Sequence, residues 1–144
     1  MTLETFVSLS SILTGYAEST LKPGADTQKL SELYFNVLNK EVAAQTISQL
    51  NTVFLGLSNP DEATVKTQIV KDSILGPIAK NIIQMWYSGI WYNLNDKPDE
   101  SYVVSSIAYK NGLVWSTIYA HPMGYSEETF GYWNTAPNTN ITTN

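Results

Sequence analysis

A single histidine, His121, stands between Ala120 and Pro122 in this chain of 144 residues. Ser126, Glu127 and Glu128 follow shortly after it. By type these are the parts of a nucleophilic relay: a hydroxyl to attack, an imidazole to take its proton, a carboxylate to orient the ring. Such a relay depends on geometry that closeness along the chain does not supply. A lone His before Pro reads first as a hydrogen-bonding anchor of a rigid turn. Asp96, Asp99 and Glu100 have the composition of a paired-carboxylate hydrolase, but they flank Pro98 in a polar run, where solvated charge is the simpler reading. One histidine cannot build a His-rich metal site, and zero Cys removes zinc–thiolate, iron–sulfur and thiol chemistry together. No GxGxxG, P-loop or GxSxG pattern occurs. The residues predict no catalytic group, no cofactor site and no metal ligand in this chain.

The residues that do cluster are aromatic. All four Trp (Trp86, Trp91, Trp115 and Trp133), seven of the nine Tyr and one of the four Phe fall between residues 86 and 133. Tyr and Trp combine a large apolar area with one polar handle, which suits surfaces that become buried. Three readings follow. The segment wraps a helical bundle as a satellite core, it forms an obligate interface with another chain, or its rings stack on sugars as in a free-standing carbohydrate-binding module. Charged residues make up 15% of the chain, against about 25% in ordinary soluble domains. Charge depletion accompanies buried contact surfaces and leans toward the interface.

The elements that must position these rings are helices in the first half. Phe6, Leu9, Leu13 and Tyr16, with Ile12, recur at helical spacing. Lys22-Pro23-Gly24 predicts a turn, and Asp26 an N-cap for a second helix carrying Leu30, Leu33, Tyr34, Val37 and Leu38. A third runs from about Lys40 with Ile47, Leu50, Phe54 and Leu57 in register. Ser58-Asn59-Pro60-Asp61-Glu62 predicts a fourth start, with Asn59 as cap and Pro60 at the first helical position. Gly76-Pro77 should break that helix and open a fifth, with Ile78, Ile82, Met85 and Trp86 on one face and Ile83, Tyr87 and Ile90 on another. Beyond Tyr92 the expectation is a polar loop, extended chain at 102–104, a short helix around Val114, Trp115 and Ile118, then irregular chain from His121 to Trp133. The fold class is thus all-α: a compact bundle of about five helices with an irregular, aromatic-rich C-terminal segment. Residues 1–137 form one domain and 138–144 a disordered tail.

Net charge is −5 and all eight basic residues are Lys, which disfavours nucleic acid and anionic lipid as partners. The most apolar stretch, 82–92, is far short of the ~20 residues of a bilayer span, so no direct membrane span is expected. Met1-Thr2-Leu3-Glu4 shows no basic region, twin arginine or apolar stretch of an export signal. The location expected is periplasmic if a signal was trimmed and cytoplasmic if the chain is complete as written.

Two stretches carry a family likeness. One is Gly76-Pro77-Ile78-Ala79 leading into Met85-Trp86-Tyr87-Ser88-Gly89-Ile90-Trp91. The other runs from Tyr109 through Leu113-Val114-Trp115, Ala120-His121-Pro122-Met123-Gly124 and Phe130-Gly131-Tyr132-Trp133. From about Phe6 to Pro137 the chain resembles the small subunit of bacterial membrane-associated, FAD-dependent sugar and polyol dehydrogenases (the sorbitol, fructose and glucose dehydrogenase small subunits). The resemblance implies a non-catalytic accessory subunit that helps a large flavoprotein of the glucose–methanol–choline type to mature and accompanies its export. FAD would lie in that partner, and a multihaem cytochrome c subunit would pass electrons onward. It further implies that Trp86, Tyr87, Trp91, Tyr109, Trp115, His121, Pro122, Met123, Gly124, Tyr132 and Trp133 face or support the large subunit. Ser116 and Tyr119 depart from the family pattern, which favours a basic and a small residue there.

Overall fold

Residues 1–92 and 100–125 are described by the computed structural model of the chain. Over them the protein is mostly helical, as the periodicity predicts. Helix α1 (Leu3–Thr14) starts at Thr2, whose hydroxyl accepts the Thr5 N–H, and ends at Gly15 with φ of 77°. A single helical turn, α2 (Glu18–Leu21), leads into the Lys22-Pro23-Gly24 turn. Then come α3 (Leu30–Glu41), α4 (Ala44–Leu55) and α5 (Glu62–Val65), the last running into a π-helical turn (Lys66–Val70), and α6 (Leu75–Ser88). The five helical stretches expected before Tyr92 are α1, α3, α4, α5 with its π turn, and α6; α2 is an addition.

Three helix starts differ from expectation, and each has an Asp carboxylate accepting from nearby N–H groups. Asp26 stands a turn ahead of α3: its Oδ1 accepts from Lys29 N–H at 2.6 Å, and Lys29, at φ 51°, enters the helix. Asp61 rather than Asn59 caps α5, accepting from Thr64 N–H at 2.8 Å and leaving Pro60 outside. Ahead of α6, the Asp72 carboxylate accepts from Ile74 and Leu75 N–H at 2.8 and 2.7 Å. Pro77 therefore sits inside the first turn rather than opening it, where its missing N–H removes no helical hydrogen bond.

The core lies where α1, α3, α4, the π turn and α6 meet. Phe6 and Leu9 meet Tyr34, Leu38, Leu50, Ile69, Ile82 and Met85, all fully buried. Tyr34 and Trp86 pack edge to face with centroids 4.8 Å apart. The Tyr34 hydroxyl and Trp86 Nε1 are buried without a hydrogen-bond partner, as are the hydroxyls of Ser10 and Ser31. Burial pushes the Tyr34 phenol well above its ordinary range, so it stays neutral.

After α6 the chain turns at Gly89 into β1 (Ile90–Trp91). This strand pairs antiparallel with β2 (Tyr102–Val103), Ile90 opposite Val103 and Trp91 opposite Tyr102. Two short helices follow, α7 (Ser106–Lys110) and α8 (Leu113–Thr117). The helical phase of Val114 and Trp115 was legible; the strand pair was not, because its partners lie eleven or more positions apart. The predicted polar loop, the irregular stretch from Ser126 onward with Tyr132 and Trp133, and the tail lie outside the described residues.

Candidate functional site

The aromatic segment is seated on the end of α6 by two glycines. Gly89 has φ of 69°, and a Cβ there would come within 2.6 Å of the Ala108 carbonyl carbon and the Tyr109 nitrogen. At Gly112 a Cβ would lie 2.5 Å from the Tyr87 carbonyl oxygen. Only a residue without a side chain permits backbone to approach backbone this closely. The Val104 N–H donates to the Gly89 carbonyl at 2.8 Å and completes the joint.

Polar handles on aromatic rings close the seam. The Tyr87 hydroxyl donates to the Thr14 carbonyl at 3.1 Å, and the Tyr16 and Thr117 hydroxyls share a hydrogen bond of 2.9 Å across 101 positions. Tyr102 donates to Glu41 Oε1 at 2.8 Å, with Lys40 Nζ 5.4 Å from the Tyr102 ring centroid. The Lys40 ammonium, 2.8 Å away, and then the Tyr102 hydroxyl hold the Glu41 carboxyl below its usual range. Burial raises the Tyr87 and Tyr102 phenols, so both remain protonated donors at neutral pH. The buried Asn81 amide accepts from the Tyr92 N–H at 2.9 Å and donates to the Tyr92 carbonyl, which fixes the exit of β1.

The predicted site residues fall into three environments. Trp86 and Trp91 are each 3% exposed and belong to the chain's own core. Tyr87, Tyr109 and Trp115 are half-buried: Tyr109 and Trp115 pack edge to face at 5.3 Å, and Trp115 Nε1 donates to the Tyr109 carbonyl at 2.7 Å. The Tyr109 hydroxyl donates to the Met123 carbonyl at 2.9 Å, which ties the His121-Pro122-Met123-Gly124 stretch to α7. His121 and Pro122 are half-buried, Met123 is 75% exposed, and Gly124 is exposed with φ of 72°.

Six of the eight large apolar residues exposed among the described residues lie between 92 and 123: Tyr92, Val103, Ile107, Ile118, Tyr119 and Met123. Of these the sequence singled out Met123 alone. Val103, Ile107 and Ile118 are aliphatic, so a search for aromatic density passes them by, while Tyr92 and Tyr119 were counted in the aromatic cluster without being singled out as site residues. A usable signal was present in the charges: residues 101–125 hold no Asp or Glu and a single Lys, Lys110. That ammonium lies 3.3 Å from the Tyr125 ring centroid.

A flavin is a poor fit to the cleft found among the described residues. A cleft of about 290 Å³ opens beside α2, between Leu21 and Gln28 on one side and Trp86 and Asn111–Leu113 on the other. That volume is at the lower limit of small-ligand pockets. The one ionisable residue lining it is Asp26, a carboxylate where a dinucleotide pyrophosphate needs N–H donors or cations. Groups of acids and histidines able to hold a metal ion are absent among the described residues. No helix among them is long and apolar enough to cross a membrane.

Compared with known proteins, residues 1–137 match a family model described as membrane bound FAD containing D-sorbitol dehydrogenase. No curated protein matches the chain.

Proposed function

The chain belongs to the family of membrane-bound, FAD-containing D-sorbitol dehydrogenases, and from that membership we propose that it is a non-catalytic accessory subunit of such an enzyme. Its aromatic segment docks on a large flavoprotein subunit that holds the FAD and oxidises a sugar or polyol. The observation that carries this reading is the exposure of Tyr92, Val103, Ile107, Ile118, Tyr119 and Met123, the last five on a stretch, 101–125, without acidic charge. Exposed apolar area of this kind marks interaction surfaces. The half-buried Tyr87, Tyr109, Trp115, His121 and Pro122 stiffen that face from behind, and the buried Trp86 and Trp91 anchor it to the bundle. By resemblance, Tyr132 and Trp133 are also proposed to face or support the large subunit. In this reading the FAD lies on the other chain, and the poor match between the cleft and a flavin supports that.

Binding only the folded, flavin-loaded state of the partner stabilises that state by mass action. A periplasmic location and a cytochrome c acceptor belong to the same proposal. Sugar stacking has less support: Trp86 and Trp91 present no open face, and Trp115 is covered by Tyr109 on one side. The test is co-expression with a large flavoprotein dehydrogenase subunit from the same source, followed by sizing with absorbance read at flavin wavelengths. The chain alone is expected to elute colourless, and the co-expressed pair to elute together and yellow. Separate elution of a yellow large subunit and a colourless small chain would overturn the reading.

A further inference from the structure

Among the described residues, three helices finish at their C-terminal end in the left-handed backbone region. At the ends of α1 and α6 the residue is Gly15 or Gly89, as the sterics of a Cβ require. At the end of α8 it is Tyr119, with φ of 53°. The hydrogen bonds there form a complete Schellman closure: Ala120 N–H donates to the Trp115 carbonyl at 2.8 Å and Tyr119 N–H to the Ser116 carbonyl at 3.2 Å. Glycine would make both bonds without strain. A bulky side chain in this region is an outlier that persists where something outside local sterics retains it.

Nothing in the described chain supplies that reason. Tyr119 is 77% exposed, the most exposed large apolar residue among those described, and its hydroxyl has no hydrogen-bond partner among them. The ring therefore strains the backbone and returns little to the fold. Its neighbours Ile118 and Met123 are 57% and 75% exposed, and the stretch around it lacks acidic residues. Tyrosine is enriched among the residues that dominate binding energy, because it adds large rigid area with few rotors to freeze.

We infer that Tyr119 is the anchor of the docking face, held outward by the αL closure of α8 and seated on assembly in an apolar, uncharged pocket of the large flavoprotein subunit. The inference rests on the proposed docking function and names the residue on which its affinity depends. The closed α8 end presents the ring before binding, which reduces the ordering cost of association.

The test pairs thermal melts of the isolated chain with titration of the labelled chain against the purified, flavin-loaded large subunit. Tyr119→Gly is expected to raise the chain's Tm by about 2 °C, through relief of backbone strain, and to weaken association by about 30-fold or more. Tyr119→Ala keeps the Cβ and its strain, so it should lose the affinity without the gain in Tm. Lys29→Gly relieves the same backbone strain at the start of α3, far in sequence from the docking face; it should raise Tm and leave association unchanged. Wild-type affinity in both Tyr119 variants, with the complex still forming, would overturn the anchor and leave the docking reading intact. A fall in Tm on Tyr119→Gly would show that the ring serves the fold and would also overturn it. Failure of the wild-type chain to bind the large subunit would remove both.

Discussion

The two portions of the molecule bury their apolar residues differently. In residues 1–92 the large side chains point inward: Phe6, Leu9, Tyr34, Leu38, Leu50, Ile69, Ile82 and Met85 are all fully buried, and the exceptions, Leu55 and Ile74, stand at element ends before the boundary residue Tyr92. In residues 100–125 only Ala108 and Leu113 are buried hydrophobics, while Val103, Ile107, Ile118, Tyr119 and Met123 face outward. The first portion satisfies its own hydrophobic effect. The second is held to it by two glycine contacts and a few phenol hydrogen bonds, and leaves area uncovered. The difference teaches that aromatic density alone does not tell which side chains face outward. The tryptophans at 86 and 91 are buried in the core, while Val103, Ile107, Ile118, Met123 and the tyrosines at 92 and 119 are exposed.

The contrast breaks most severely at Trp86. Trp86→Ala empties a buried indole site and should cost about 3–5 kcal/mol in denaturant melts, whereas Met123→Ala on the outer face should cost under about 0.5 kcal/mol. Equal losses would erase the distinction between the two portions. Gly89→Ala comes next. It places a Cβ against the Ala108–Tyr109 backbone at positive φ and should cost about 2–4 kcal/mol. The near-ultraviolet dichroism of Tyr and Trp should collapse while far-ultraviolet helicity largely persists, because the segment lifts from α6 and the bundle remains. Full loss of helicity would mean that the two portions fold as one cooperative unit.

The smallest effect is acid sensitivity. The Thr64 hydroxyl and then its N–H hold the Asp61 carboxyl below its ordinary range, and the Leu75 and Ile74 N–H groups do the same for Asp72. The folded state therefore binds fewer protons than the unfolded state near pH 4, and stability rises with pH through that region. Their contribution is complete above the ordinary carboxylate value and is lost as pH falls through the lowered values. Both groups lie in the first portion, and 101–125 has no carboxylate. Melts between pH 5 and pH 2.5, read by far-ultraviolet dichroism, should show a small acid loss that Asp72→Ala reduces.

Periodicity sufficed for the helices because an amphipathic stripe reports its buried face locally: Val65 and Ile69, or Ile78, Ile82 and Met85, were placed inward from spacing alone and are inward. Caps were less legible. Asn59 and Asp61 are both capable acceptors two positions apart, and which one meets an orphan N–H depends on where the helix begins. The site was legible as a region and not as a surface. Aromatic density marked 86–133 as unusual, yet whether Trp91 or Ile107 faces outward is set by the pairing of Trp91 with Tyr102 and by the seating of Gly112 on Tyr87.

The sequence by itself determined the helical class, the inward stripes, the absence of a nucleotide-binding motif and the concentration of Trp and Tyr beyond residue 85. These follow from composition and from contacts within a few residues along the chain. Only the tertiary structure decided which rings are core, which apolar side chains remain uncovered and that Tyr119 occupies a glycine's conformation. Those outcomes depend on contacts between segments distant in sequence, such as Tyr16 with Thr117 or Gly89 with Ala108. Local preference carries no information about such contacts until the chain has closed on itself.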